Sequence, residues 1–204
     1  MTFYETVKIG VEKMSLIKQC KGEKIRTRNI SVAVYTVDEE SIAVEGVLKD
    51  DRMITQYAFV GDEFPPGIVH HMVIRMRIRG ESLNIEEIEV EMPCTPYDIC
   101  IENRNSLDKL KGLSITRGFT SKVKKTLGGI NGCVHLTALL LSMAPAAIHG
   151  YMTNMTRRPG VNIENAEALM QFLIDSCSVW RSDRALAKEL ISKLEEKTTE
   201  RIGA

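Results

Sequence analysis

Hydrophobic and polar positions alternate through the first half of the chain and switch to helical spacing in the second. Residues 30–37, 42–48 and 53–60 form short runs rich in β-branched side chains, separated by acidic, turn-prone clusters at Asp38-Glu39-Glu40 and Asp50-Asp51. A loop is expected over 62–67, where Pro65-Pro66 falls. The clearest strands are 69–79 and 85–92, joined around Gly80-Glu81-Ser82. In the first of these His70, Met72, Ile74, Met76 and Ile78 share one face, and His71, Val73, Arg75, Arg77 and Arg79 the other. A five-residue connection would set Arg77 across from Glu87 and Arg75 across from Glu89. That arginine row reads either as an anion site or, preferably, as a solvated charge ladder that holds register.

After Pro93 the pattern turns helical. Amphipathic stretches are expected at 105–113 and 120–127, the second closed by Gly128-Gly129, followed by a long apolar helix over 133–152 kinked at Pro145. Residues 157–160 read as a loop, Asn162 as the cap of a helix 163–177, and Ser182 as the cap of a last helix 183–198 with Leu186, Leu190 and Leu194 on one stripe. A weak amphipathic signal at 3–20 suggests an N-terminal helix. Strands first and helices afterwards imply an α+β class: an antiparallel β-sheet over 25–92 packed against helices over 105–198, in a single domain spanning 1–204.

Composition narrows the partners. The 204 residues carry 27 basic and 27 acidic side chains, 26% charged and 44% apolar in all, which excludes a disordered tail and a generic polyanion binder. One tryptophan and few aromatics provide no stacking platform for single-stranded nucleic acid. The greasiest segment, 134–148, is interrupted by His135, Ser142 and Pro145 and falls short of the roughly 20 apolar residues of a spanning helix. A buried core helix and no membrane role are expected. Cys20, Cys94, Cys100, Cys133 and Cys177 form an odd, scattered set without a C-x-x-C pair, which favours reduced thiols and a cytoplasmic location. The start of the chain shows no basic-then-apolar targeting pattern. The expected partner is a small molecule. Neither the oligomeric state nor a cofactor can be read.

Candidate chemistry centres on Gly128-Gly129-Ile130-Asn131-Gly132-Cys133-Val134-His135, a glycine-rich loop entering a helix. Such a start offers unpaired N–H groups and a partial positive charge, which would lower the pKa of a cysteine placed there. Cys133 is then either a nucleophile or a small residue filling a tight turn. Residues two apart on a helix diverge by about 200°, so Cys133 and His135 can meet only if Cys133 still lies in the loop. His135 and His149 would share a mostly apolar helix face and read more readily as core residues than as ligands. His70, on the covered face of its strand, needs a polar partner and could serve as base for Cys133. Cys133 and His70 are expected to face one partly enclosed pocket between sheet and central helix. Asp175 and Cys177 either join that site or simply end a helix.

These observations support three readings. One is a small-molecule enzyme with Cys133 as nucleophile, His70 or His135 carrying the proton, Gly128, Gly129 and Gly132 cradling an anionic group, and Arg117 contacting it. Another is a zinc or iron site built from Cys133, His70 or His135, and Cys177. The last is a non-catalytic binding module that docks through helix 183–198.

The stretches "GIVHHM", "LKGLSITRGFTSKVKKTLGGINGCVHLTALL" and "LIDSC", with "RTRNI" and "VEGVLKDDR" before them, resemble the bacterial domain-of-unknown-function 2889 family over roughly 25–180. The resemblance points to His70, Gly118, Phe119, Gly132, Cys133, His135, Leu136, Asp175 and Cys177. Two positions depart from the family pattern, because an acidic residue gives way to His71 and a glutamate to Ala138. A mechanism needing either carboxylate is not carried by those two positions. The family implies no assigned activity, so the resemblance speaks for the site rather than for a reaction.

Overall fold

The computed structural model describes residues 16–20, 22–157 and 170–202. Most of the helix expected at 3–20 lies outside these residues, and Leu16–Gln19 is a single 3-10 turn. Four long strands, β1 (Arg26–Thr36), β2 (Ser41–Arg52), β5 (Gly67–Arg79) and β6 (Asn84–Cys94), form an antiparallel sheet in the order β1-β2-β5-β6. The helices follow: α1 (Phe119–Leu127), α2 (Val134–Thr156) and α3 (Ala185–Ile202). The fold is therefore the expected α+β arrangement of sheet first and helices second.

Period-two alternation decides which face of the sheet is covered. Along β2 the inward series is Ile42, Val44, Gly46, Leu48 and Asp50, and along β5 it is His70, Met72, Ile74, Met76 and Ile78. Leu136, Leu139, Leu140 and Met143 of α2 close over that face, and all four are fully buried. The helix lies close because β2 has Gly46 at the crossing, where an added Cβ would sit 2.5 Å from the Met143 sulfur. Asn154, near the far end of α2, donates to the carbonyls of Asp38 and Glu39 in the β1–β2 turn. The helix thus runs antiparallel to β2, which places its N-terminus over the C-terminal end of that strand. Among the described residues α2 has the length and apolarity of a membrane span, yet it packs here as a core helix on the sheet.

The outer face carries the charge ladder. Arg75 stands opposite Glu89 and Arg77 opposite Glu87, the expected register. The connection differs in detail: only residues 80–83 separate Arg79 from its partner Asn84, and a bulge between Arg77 and Ile78 restores the alignment. Arg75 pairs with Glu45 at 2.7 Å and Glu91 at 2.6 Å, so it is held within the sheet's own acids, as a ladder requires.

Several local expectations are corrected. Residues 53–60 are not a strand of the main sheet. They contribute only β3 (Gln56–Tyr57), which pairs with β4 (Glu63–Phe64) in a small hairpin. Phe59 and Val60 are exposed there, with no layer of the described residues over them. Asp50-Asp51 is not a turn, since cross-strand partners Arg28 and Thr27 on β1 keep both acids within β2. Pro93 lies inside β6, an edge strand, where a missing N–H is tolerated. Residues 105–110 of the stretch expected at 105–113 belong to a longer 3-10 segment, Asp98–Leu110, that buries Leu107 and Leu110 at i, i+3, and 111–113 lie beyond its end. The apolar helix continues through Pro145 to Thr156.

Asn162 and residues 158–169 lie outside the described residues. The helix expected to reach 177 ends at 173, where the chain turns through Asp175 in a left-handed conformation (φ 60°). The last helix starts at Ala185. Ser182 uses its backbone N–H on Asp175 instead of standing at the helix start, and Leu186 faces solvent while Ala187 is buried.

Candidate functional site

Strand pairing builds a row of polar residues across the otherwise apolar inner face. Arg28 on β1 is the register partner of Asp50 on β2, and Asp50 is the partner of His70 on β5. Asp50 is 1% exposed, which is tolerable only if its charge is fully paired. Arg28 supplies both arms of its guanidinium: Nε donates to Oδ1 and Nη2 to Oδ2, each at 2.6 Å. His70 Nδ1 lies 3.1 Å from the same Oδ2.

The start of α2 completes the group. His135, second in the helix, stacks on His70 with ring centroids 3.7 Å apart, and its Nε2 stands 3.7 Å from Asp50 Oδ2. Cys133 is the residue before the helix, in extended conformation (φ −87°, ψ 124°). Its carbonyl accepts from the Thr137 N–H and hydroxyl, the first bond of the helix, while its own extended dihedrals keep the side chain off the helical path. The thiol can therefore swing toward the ring two residues on, and Sγ sits 3.9 Å from His135 Nδ1. The condition under which the two could meet is fulfilled, and His135 lies between the thiol and the Asp50–His70 pair.

The electrostatics follow from burial and the Arg28 fork. Arg28 holds the Asp50 carboxyl below its ordinary range against the opposing effect of burial, and the His70 hydrogen bond adds to it. Burial lowers both imidazoles. For His70 it outweighs the attraction of Asp50, and for His135 the neighbouring His70 and Arg28 lower it further. The arrangement at neutral pH is a carboxylate, a guanidinium and two neutral imidazoles, with the Cys133 sulfur beside them. Neutral imidazoles can accept a proton or bind a cation. Asp50, His70 and His135 each offer one ligand atom, all within 4.8 Å of one another.

Other expected site residues are placed differently. Arg117 is exposed in the turn before α1 and forms no ion pair with a described residue; Arg28 is the arginine of this group. Gly128 makes room for the end of α1, since an added Cβ would lie 2.2 Å from the Lys124 carbonyl oxygen. Gly129, in left-handed conformation (φ 60°), opens the 3-10 turn Gly129–Asn131, and Gly132 follows it and leads to Cys133. His149 is exposed, so the shared-core reading fails for it: it lies on the solvent side of α2, while Ala147 and Tyr151 are buried and Gly150 packs on Val34 of β1. Asp175 and Cys177 lie in a local turn and are not among the converging ligand atoms. Backbone N–H groups of Trp180 and Val179 lower the pKa of the exposed Cys177 thiol.

The residues missed in the sequence are Arg28 and Asp50. Both stand inside the segments "RTRNI" and "VEGVLKDDR" noted for their family likeness, which was the available signal. His71 faces away from the group, opposite Lys49 and Cys94, so an acid at that position would not have been the partner of His70. Asp50 fills that role. A cleft of about 500 Å³ lies at the other end of α2, lined by Glu39, Glu40, Glu81, Tyr151 and Asn154 among others, and none of the converging groups lines it.

Comparison with known proteins gives two matches. The family model described as "Protein of unknown function (DUF2889)" matches residues 26–149, well over half of the chain and the whole of the group from Arg28 to His135. Over 133 residues the chain is 32% identical to the methylated-DNA–protein-cysteine methyltransferase of Thermococcus sibiricus, covering 60% of this chain and 74% of that protein. No solved structure matches.

Proposed function

The chain belongs to the DUF2889 family, and on that premise we propose that it is a cytoplasmic small-molecule enzyme with Cys133 as nucleophile. The observation that carries the reading is the approach of Cys133 Sγ to His135 Nδ1 at 3.9 Å, with Asp50 facing the far nitrogen of the same ring. The thiol proton passes to Nδ1, and the imidazolium so formed is stabilised across the ring by the Asp50 carboxylate. The thiolate then bonds to an electrophilic carbon of the substrate as the bond from that carbon to its leaving group breaks, and the leaving group takes the proton held on His135 Nδ1. His70 packs on the His135 ring and fixes its plane. Arg28 orients Asp50, and its half-exposed side chain gives the mouth of the site a positive edge suited to an anionic substrate. The similarity to a protein named for methyl transfer involving a protein cysteine supports carbon–sulfur bond formation as the class of chemistry. The balanced charge and few aromatics support a small substrate over nucleic acid.

Iodoacetamide labelling at neutral pH, read by peptide mapping, tests the thiol. The exposed Cys20 is an internal standard on the same chain. Cys133 should label at least about tenfold faster than Cys20, and His135→Asn should remove the advantage. Equal rates at Cys133 and Cys20 in the unaltered protein would end the nucleophile reading.

A further inference from the structure

We propose that Asp50, His70 and His135 form a binding site for one divalent first-row transition ion, zinc(II) or iron(II). The inference shares residues with the proposed thiol chemistry but does not depend on the thiol.

Three elements, β2, β5 and the start of α2, each contribute one donor, and the donors lie within 4.8 Å of one another. A four-coordinate ion with bonds of about 2.0–2.1 Å separates its donors by about 3.4 Å, so small side-chain rotations close the set without moving the backbone. Two imidazoles and one carboxylate are the donor types that hold zinc and non-haem iron, and three protein ligands leave a position for water or substrate.

The surroundings supply what such a site needs. The two rings stand side by side against the buried carboxylate, and a modest turn of each out of the stack directs its in-plane nitrogen lone pair toward one ion. Asp50 is oriented by Arg28, which can keep Oδ1 through its Nε while Oδ2 turns to the ion. That fork is the outer support that fixes a ligating carboxylate. An ion on His135 Nε2 leaves the opposite ring nitrogen, Nδ1, facing Cys133 Sγ at 3.9 Å, so the thiol is not required as a ligand.

The test uses the full chain dialysed against EDTA and titrated with cobalt(II) or zinc(II) alone. One ion per chain is expected, with visible cobalt bands of a low-coordinate site. The chain has four histidines, His70, His71, His135 and His149, so the imidazole NMR signals contain their own control. Cobalt(II) should shift or broaden His70 and His135 far more than His149. His70→Asn and His135→Asn should each weaken zinc binding by at least about tenfold. Cys133→Ser should retain the ion while losing rapid alkylation, which separates this inference from the thiol reading. Should either histidine variant fail to fold, the NMR pattern of the unaltered chain still decides. Absence of stoichiometric binding, or cobalt effects centred on His149, would overturn the site.

Discussion

Removing the Arg28 guanidinium, as in Arg28→Met, should reveal how much the fold relies on the polar row. The substitution keeps a long apolar stem and leaves the Asp50 carboxylate, 1% exposed, with His70 as its remaining close hydrogen-bond partner. Breaking a fully buried ion pair by removing one member costs about 3–5 kcal/mol, whereas an exposed pair contributes about 0–1 kcal/mol. The Arg28 side chain is 47% exposed, so water replaces part of what the guanidinium supplied. The expected loss falls between the limits, at about 2–3 kcal/mol. For a chain of this size that corresponds to roughly 5–10 °C in Tm. Urea denaturation followed by circular dichroism, with EDTA present, measures it. The converse variant Asp50→Asn should cost less, because Arg28 can return to water. The double variant Arg28→Met with Asp50→Leu should recover part of the loss. A loss below about 0.5 kcal/mol for Arg28→Met, or strict additivity in the double variant, would refute the claim that a buried carboxylate is being neutralised.

Two further outcomes follow from burial and packing. His70 and His135 have pKa values lowered below the ordinary 6.5, so the unfolded chain binds more protons; their contribution to stability is full above that value and is lost as pH falls below it. Asp50, also lowered, adds a second loss at more acid pH, as pH falls through its folded value. The urea midpoint of EDTA-treated protein should therefore decline from about pH 6.5 downward, and a midpoint constant from pH 8 to pH 5 would contradict the assignment. Gly150→Ala sets helix propensity against sterics. Alanine favours the helix by about 1 kcal/mol, but its Cβ would stand 2.4 Å from Val34 Cγ1 on β1. A β-branched neighbour has little freedom to yield, so overpacking at about 1–3 kcal/mol should win and the variant should melt lower. A higher Tm would show that α2 can lift from β1 without cost.

Much of the sheet was legible because its signals are local. Alternation placed His70 on the covered face, and the spacing of Arg75 and Arg77 against Glu87 and Glu89 gave the register even though the loop and bulge that achieve it were unforeseen. Asp50 was not legible for the opposite reason. Two adjacent aspartates carry the composition of a turn, and only their β1 partners, 22 and 24 residues away in sequence, keep them in a strand. Residues 53–60 show the converse failure, since strand-forming residues need a neighbouring surface to cover them and this hairpin finds none among the described residues. Arg117, expected to contact an anion, stands exposed in the turn before α1, whereas the arginine joined to Asp50 comes from β1.

The site depends most on the direction of α2. Its buried residues would cover the sheet equally well with the helix reversed, as hydrophobic contact is non-directional. Reversal is opposed by two fixed features. Gly46 gives the Met143 side chain its place at the crossing, and Asn154 clamps the C-terminal end to the carbonyls of Asp38 and Glu39. With that end held, the helix N-terminus has to lie over Asp50. His135 arrives as the second helical residue, and Cys133 sits just outside the helix where its thiol can face the ring. A cysteine one position later would be in the helix and would point elsewhere. The thiol, the two imidazoles and the carboxylate meet because a helix cap, a strand alternation and a cross-strand register coincide at one end of the sheet.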